Sequence, residues 1–350
     1  MEHSSTATRS PARTKPGYTD SGAPAVSVAP MMDYTDRHYR YFFRKLSTRT
    51  LLYTEMVTSS AIIHGDRDKL LAFDESEHPL ALQLGGDNPD EIARAVEIAE
   101  GYGYDEYNLN VGCPSDRVQN GNFGACLMAS PPHVARIAVA MQQATHKPVT
   151  IKHRIGIDGR ESYEEMLEFV DTVAATGITR FAVHARIAIL AGLDPKQNRS
   201  IPPLRYDDVY RLKRERPHLE IEINGHVKSI PEIIDHRRHV DAVMVGRSAY
   251  EDAWMFSGVD SEIFGDPVPA INRETVVRSV YRYLDRLEAA GHPPRRLINH
   301  MLGLFAGRPG ARKWKQALSG KLPELSGREL LERALQRVPP EIRREGPRIP

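Results

Sequence analysis

The sequence is poor in cysteine and contains no long hydrophobic run. Only two of its 350 residues are cysteine, Cys113 and Cys126, and no paired set of Cys and His ligands lies near them. This usage is typical of reduced thiols in the cytoplasm and argues against a disulfide framework or a zinc site. No stretch is long enough to cross a membrane, and residues 1–25 lack the apolar core of a signal peptide. We therefore expect a cytoplasmic protein with no membrane partner, and nothing implies a protein partner.

The chain also lacks a strong charge of either sign. Its formal net charge is +1, so the protein as a whole has no signature of polyanion binding. Basic clusters do occur locally, at residues 196–199, 211–216 and 308–315. Taken alone, each cluster is better interpreted as solvated helix surface.

Eight short apolar runs recur between residues 26 and 262, and segments with helical spacing separate them. Their lengths suit buried parallel strands, and strand followed by helix, repeated, requires a parallel sheet. Eight repeats predict an α/β fold, a closed (β/α)8 TIM barrel, with an open doubly wound sheet as the alternative. The runs are 26–30, 51–55, 80–84, 106–110, 149–152, 180–184, 220–224 and 242–245.

Composition changes at both ends of the predicted barrel. Residues 1–25 are rich in Ser, Thr, Pro and Gly and predict a disordered tail. Helical spacing dominates residues 263–335, where one apolar face includes Val276, Val280 and Leu284, so we predict a small C-terminal helical bundle. Residues 336–350 are expected to form a second tail.

Polar or glycine residues end most of the apolar runs, at the position where such barrels build their active sites. Backbone N–H groups after the last two runs, together with Arg247, predict a phosphate site. If the phosphate belongs to a flavin, Gln83 is suited to the pyrimidine edge of the ring and Lys152 to the N1/O2 region. The residues concerned are Pro30, Met31, Gln83, Asn110, Lys152, His184, Asn224, Gly225, Gly246 and Arg247.

Lys152 and His184 each fit a second role as well. Lys152 could form a Schiff base, as in barrel aldolases, or pair with a carboxylate inside the barrel. His184 could be a core histidine whose hydrogen bonds are satisfied by the protein. The phosphate site beside them favours a phosphate-bearing cofactor or a sugar-phosphate substrate.

Five motifs stand at or just after the predicted strands: Val28-Ala29-Pro30-Met31 with Thr35-Asp36-Arg37, Glu55-Met56-Val57, Gln83-Leu84-Gly85-Gly86, Asn110-Val111-Gly112-Cys113-Pro114 with Arg117-Val118-Gln119-Asn120-Gly121, and Lys152-His153-Arg154-Ile155-Gly156. Together they closely resemble the motifs of the tRNA-dihydrouridine synthases, and the resemblance covers roughly residues 26–320. The sequence also contains Glu55-Met56-Val57-Thr58 with His64-Gly65, Pro195-Lys196-Gln197-Asn198-Arg199 and Met301-Leu302-Gly303-Leu304-Phe305. These segments resemble the A-type branch of that family.

This resemblance implies an FMN enzyme that uses NADPH to reduce the C5–C6 double bond of D-loop uridines 20 and 20a in tRNA. Hydride would reach C6 from the flavin, and Cys113 would give a proton to C5. A thiol stays mostly protonated at neutral pH, which suits a proton donor. Cys126, between Ala125 and Leu127, is interpreted as a small structural filler.

The resemblance also implies site residues. For tRNA, Asn110 would face the target base, and Lys196, Arg199, Arg312 and Lys315 would contact phosphates, with Trp314 turned inward between the last two. The implied flavin contacts are Ala29, Pro30, Met31, Gln83, Lys152, His184, Asn224, Gly225, His226, Gly246 and Arg247.

The chain departs from the family pattern at two positions. Ile187 follows His184-Ala185-Arg186 where the A-type motif has a lysine, which removes a cation from the RNA side of the mouth. His226 stands where the family often has a second glycine, so any positive φ there is costly.

Two rival functions fit parts of the sequence. A flavin barrel that reduces a free pyrimidine, as dihydroorotate dehydrogenases do, shares the chemistry, but the basic segment 308–315 favours a large anionic substrate. A non-catalytic RNA-binding barrel would be expected to lack Cys113 or Lys152, and both are present.

Overall fold

Eight parallel strands close into a barrel in the computed structural model, which describes residues 16–115, 121–319 and 325–349. Apart from one additional short strand, each strand pairs with the next strand along the chain, and the last pairs with the first through Val28 and Val245. This closure confirms the predicted barrel over the open sheet. The strands are β1 (Val26–Val28), β2 (Leu51–Tyr53), β3 (Val57–Thr58), β4 (Leu80–Gly85), β5 (Glu106–Val111), β6 (Val149–Arg154), β7 (Arg180–His184), β8 (Glu220–Asn224) and β9 (Ala242–Val245). The short β3 continues the pairing of β2 along β4.

Helices surround the barrel and form the C-terminal region. The helix after β4 begins with Pro89, and the side chain of Asn88 accepts the N–H groups of Asp90 and Glu91, a capping arrangement that ends the preceding loop. In the part of the chain that the structure describes, the α-helices are Arg37–Phe43, Ser59–His64, Arg67–Leu71, Pro89–Glu100, Pro131–Ala144, Tyr163–Ala174, Tyr206–Glu215, Ile230–His236, Ser248–Glu251, Val259–Phe264, Arg273–Ser279, Tyr281–Ala289, Arg295–Ile298, Ala311–Ser319, Gly327–Leu335 and Pro340–Arg343. The 3₁₀ helices are Glu75–Glu77, Gly124–Ala129, Gln197–Arg199, Ala253–Gly258 and Asn299–Met301.

The main apolar core lies between the strands and the surrounding helices, whereas the barrel interior is partly polar. Near the lower end of the barrel, Arg180 pairs with Glu106 at 3.0 Å and approaches Glu222 at 3.6 Å, and all three are buried. A buried charge without a partner would destabilise the fold, so these ion pairs are what allows charged side chains to lie inside the barrel. A smaller apolar cluster shares this interior and includes Ala29, Leu51, Tyr53, Ala81, Ala182 and Met244.

The C-terminal helices pack around the side chain of Trp314. This indole is fully buried, contacts the ring of Phe305 and donates its N–H to the carbonyl of Met301 at 3.0 Å. The inward orientation predicted for Trp314 is therefore confirmed. No helix in the described ranges has the length and apolar character needed to cross a membrane.

Segments within both predicted tails pack on the rest of the protein. The N–H and hydroxyl of Ser21 donate to the Glu220 carboxylate at 2.7 and 2.8 Å. At the other end, Glu345 pairs with Arg273 at 2.8 Å, and Ile342 is buried. Composition did not predict this order because its partners lie far away in the sequence.

Candidate active site

A cavity of about 280 Å³ opens at the carboxyl ends of the barrel strands. It is formed by residues that end β4 to β7 and by the loops that follow β1, β5, β7 and β9. The predicted residues that the structure brings together on its walls are Pro30, Met31, Gln83, Asn110, Cys113, Lys152, His184, Arg199 and Arg247.

The remaining predicted flavin residues lie beside this cavity. Ala29 is buried directly before Pro30, and Asn224 is linked to the cavity through Lys152. Gly225 and His226 follow β8, and Gly246 follows β9.

Cys113 is held on the loop after β5 by contacts to its backbone. Its N–H donates to Oδ1 of Asn110 at 2.9 Å, and its thiol lies 3.5 Å from the hydroxyl of Ser115. The guanidinium of Arg154 donates to the carbonyl of Gly112 at 2.8 Å, so a second strand fixes the same loop. The side chain is half-buried and faces the cavity. The motif residues 117–120 lie outside the described part of the chain.

Cys126 is in the 3₁₀ helix Gly124–Ala129 and is not among the residues that line the cavity. Burial raises the pKa of its thiol, which keeps the group neutral.

Lys152 carries a positive charge into a poorly solvated place. Burial, and then the nearby charge of Arg154, lower the pKa of its ammonium to about 8. Its Nζ donates to Oδ1 of Asn224 at 3.2 Å, and within the described ranges no carboxylate lies at ion-pair distance. The alternative in which Lys152 pairs with a carboxylate inside the barrel therefore has no support in the described residues.

His184 is neutral. Burial lowers its pKa well below the usual value, and the cations Arg154 and Lys152 lower it further. In the described part of the chain its ring has no hydrogen-bond partner, although it lines the cavity. A core histidine would have its nitrogens satisfied by the protein, so this ring is instead available to a ligand.

The loops after β8 and β9 present unused donors. Across the ranges that the structure describes, the backbone N–H groups of His226, Gly246 and Arg247 reach no acceptor, and the Arg247 side chain is exposed. A Cβ added at Gly246 would meet nothing closer than 4.0 Å, so the backbone there is open to a bound group. Arg199 and Arg247 both line the cavity, and partial burial, followed by the charge of Arg247, lowers the pKa of Arg199. Such donors fit a phosphate.

The structure shows the surroundings of the two positions, Ile187 and His226, at which the chain departs from the family pattern. His226 has a φ of +59°, the left-handed region that the missing glycine would adopt at lower cost. The side chain of Ile187 is buried, and its carbonyl accepts from Arg154 at 3.0 Å. Arg199 is exposed and lines the cavity, so it supplies a cation on this side of the mouth.

Sequence reasoning missed several wall residues, among them Met32, Tyr34, Met56 and Arg154. Arg154 had a detectable signal, because alternation along β6 places it on the same inner face as Lys152. Tyr34 is 41% exposed at the mouth and makes an edge-to-face contact with Tyr250. Its loop position gave no comparable signal.

The predicted RNA residues fall into two groups. Lys196 is exposed three residues before Arg199, near the cavity mouth. Arg312 and Lys315 are exposed on the helix Ala311–Ser319 and do not line the cavity. Arg312 lines a separate groove of about 700 Å³ together with Arg308, Lys313 and Arg337.

A parallel barrel whose cavity holds a cysteine loop, a half-buried lysine and open backbone donors is compatible with a flavin-dependent oxidoreductase. Residues 27–338 match the family model described as Dihydrouridine synthase (Dus), and the chain belongs to this family, whose enzymes reduce uridine in tRNA to dihydrouridine. Three relatives carry the name tRNA-dihydrouridine(20/20a) synthase. The Synechocystis protein is 53% identical over 91% of this chain and 96% of its own length. The Vibrio parahaemolyticus protein is 51% identical over 91% of this chain and 98% of its own length. The Pseudomonas syringae protein is 52% identical over 88% of this chain and 91% of its own length.

Proposed function

We propose that this enzyme reduces the C5–C6 double bond of uridines 20 and 20a in the D-loop of tRNA, with FMN as its flavin and NADPH as the reductant. The observation that carries the proposal is that Cys113 and Lys152 line one cavity together with Arg247, which follows β9 beside backbone N–H groups that reach no acceptor in the described residues. The names of the relatives, which cover most of the chain, supply the uridine positions.

The residues around the cavity fit a flavin mononucleotide. His226, Gly246 and Arg247 would hold its phosphate, while Gln83 would meet the polar edge of the ring and Lys152 would place positive charge beside it. When bound, the flavin supplies the hydride that reduces C6. The complete proposed set is Ala29, Pro30, Met31, Gln83, Lys152, His184, Asn224, Gly225, His226, Gly246 and Arg247.

Cys113 acts as the general acid. Its S–H bond breaks as the proton goes to C5 of the uracil, which leaves a thiolate that later takes a proton from water. Lys152, Arg154 and Arg199 line the same cavity as this sulfur, so the negative charge forms near cations. Asn110 orients the loop and faces the base.

The target uridine must leave its stack to enter the cavity, because a stacked base offers the enzyme no free face. Lys196 and Arg199 contact phosphates near the mouth, and Arg312 and Lys315 contact the body of the folded tRNA. In this proposal residues 26–262 form the catalytic barrel, and residues 263–335 form the helices that bind tRNA. The reaction takes place in the cytoplasm, where tRNA substrates are found.

Purified protein tests the cofactor. We expect the flavin absorption bands, and mass spectrometry of the released cofactor should identify FMN. Protein that shows no flavin bands even after incubation with FMN would refute the proposed chemistry.

The substrate requires a separate experiment in a strain from which the corresponding gene is deleted. Its tRNA should lack dihydrouridine at positions 20 and 20a, and the wild-type gene, but not the Cys113→Ala variant, should restore it. Reduction of free uridine or orotate, with tRNA unmodified, would instead favour the free-pyrimidine activity.

A further inference from the structure

A chain of hydrogen bonds rises through the barrel interior, starting from the buried carboxylate of Glu106. The hydroxyl of Thr150 donates to this carboxylate at 2.6 Å, and the side-chain amide of Asn108 donates to the Thr150 oxygen at 2.8 Å. These three side chains are at most 4% exposed. The lower half of the hydrogen-bond chain is therefore buried.

The upper half of the chain reaches the active site. Gln83 donates from Nε2 to Oδ1 of Asn108, and Asn110 donates from Nδ2 to Oε1 of Gln83, both at 2.8 Å. Oδ1 of Asn110 then accepts the backbone N–H groups of Gly112 and Cys113 at 3.1 and 2.9 Å. The hydrogen-bond chain therefore ends on the loop that carries the thiol of Cys113.

The two ends determine the direction of every link. The Glu106 carboxylate, paired with Arg180 at 3.0 Å, is only an acceptor, so the single proton of the Thr150 hydroxyl must point toward it. The Thr150 oxygen can then only accept from Asn108. Backbone N–H groups are only donors, so Oδ1 of Asn110 must face the Cys113 loop. The amides between these ends have one orientation that satisfies both.

We infer that Thr150 and Asn108 are positioning residues for the reaction, although neither lines the active-site cavity. They set the amide orientation of Gln83 and Asn110, and through Asn110 they hold Cys113 in place. Gln83 and Asn110 each use one amide hydrogen in the chain and keep the second for a ligand. The catalytic consequence of this inference rests on the proposed function of Cys113. The orientation of the loop does not depend on that function.

The variant Thr150→Val tests the chain, because it removes the hydroxyl with little change in shape. Ser27→Ala is a matched control: the Ser27 hydroxyl is also buried and donates at 2.6 Å to a barrel carboxylate, that of Glu222, without contacting Gln83 or Asn110. Thr150→Ser keeps the hydroxyl and should restore the wild-type behaviour. Thermal melting of all three checks that each variant folds.

The first measurement is amide hydrogen exchange in a peptide that covers residues 108–115, which reports on the N–H groups of Gly112 and Cys113. We expect Thr150→Val to speed this exchange about tenfold relative to wild type, because a less firmly held Asn110 side chain would weaken the hydrogen bonds that these two N–H groups donate to it. Ser27→Ala should leave the exchange rate unchanged. If Thr150→Val leaves exchange unchanged, or if both variants speed it equally, the inference is wrong.

The second measurement is uridine reduction in tRNA. Thr150→Val should lower kcat about tenfold or more, with KM for tRNA within about twofold of wild type, because misplacing a reacting group affects the chemical step. Faster exchange with unchanged kcat would overturn the catalytic consequence. Cys113→Ala in the same assay tests the proposed acid separately, since full activity in that variant would refute the acid role of Cys113 but not the hydrogen-bond chain, which the exchange measurement tests on its own.

Discussion

The ammonium of Lys152 donates to Oδ1 of Asn224 at 3.2 Å, and the amide of Asn224 in turn donates to the carbonyl of Met244 at 2.8 Å. A neutral amide whose direction is fixed by a neighbouring strand thus takes the place of a counter-ion. Within the described residues Lys152 has no carboxylate at ion-pair distance, and its ammonium lines the cavity, where it is available to an anionic ligand. This arrangement costs stability, which makes it measurable.

Replacing Lys152 by methionine should stabilise the flavin-free protein at pH 7. The folded protein holds the pKa of Lys152 at about 8, below its ordinary value of 10.5, so the buried ammonium is destabilising at neutral pH. From pH 8 to 10.5 the unfolded chain binds more protons, so wild-type stability rises with pH in that window. The gain of Lys152→Met, at most about 3 kcal/mol at pH 7, should therefore shrink above pH 8.

Urea unfolding between pH 7 and pH 10 measures this difference. Lys213→Met is a suitable control, because Lys213 pairs with Asp241 at 2.8 Å and its loss should not stabilise the protein. A Lys152→Met variant that is less stable than wild type at pH 7 would contradict the expectation.

Cys113→Ala should retain flavin reduction by NADPH but lose uridine reduction by about a hundredfold or more, because only the second half-reaction needs the acid. Stopped-flow absorbance follows the first half-reaction, and dihydrouridine formation follows the second. Cys126→Ala, which removes the other thiol, should leave both half-reactions intact. Equal dihydrouridine formation by Cys113→Ala and wild type would show that another group supplies the proton.

A double change of Arg312 and Lys315 to alanine should weaken tRNA binding without releasing flavin. Both side chains are exposed on one helix that Trp314 anchors from its inner side. If they contact phosphates, each lost charge should flatten the slope of log affinity against log salt by up to about one unit.

Binding titrations at several salt concentrations provide the measurement. Replacing Arg94 and Arg136, exposed on barrel helices, serves as the charge-matched control. Unchanged affinity and slope in the Arg312 and Lys315 variant would show that the pair is only solvated helix surface.

His226→Gly should raise the free energy of unfolding by about 1 kcal/mol, because glycine adopts a φ of +59° without the strain of a side chain. The side chain is exposed, so little packing is lost. His218 is also exposed but is not at positive φ, and His218→Gly should lower stability instead. Equal losses in both variants, measured by urea unfolding, would argue against strain at His226.

The predicted strands agree closely with the structure because their signal is local. The outward-facing residues of a barrel strand pack against the helices and are apolar, as Tyr107, Leu109 and Val111 are in β5, and active-site residues follow the strands in such barrels, so β5 and the Cys113 loop could be predicted from one stretch of sequence. The cost of a positive φ at His226 was also visible, since it depends only on the residue type and its own backbone.

Other features depend on the register between strands that are distant in the sequence. Gln83 reaches Asn108 because β4 and β5 pair these residues directly, and Asn110 lies opposite Lys152 for the same reason on β5 and β6. No local pattern specifies that stagger.

The sequence by itself therefore determined the repeating strand and helix order, the barrel class and the residues that end each strand. Only the tertiary structure decided which of those residues share a cavity, that Arg154 holds the Gly112 carbonyl, and that segments near both termini pack on the barrel and the helices. The physical reason is range: strand and turn preferences act between near neighbours, whereas hydrogen bonds and ion pairs inside a closed barrel join groups that meet only after the barrel has closed.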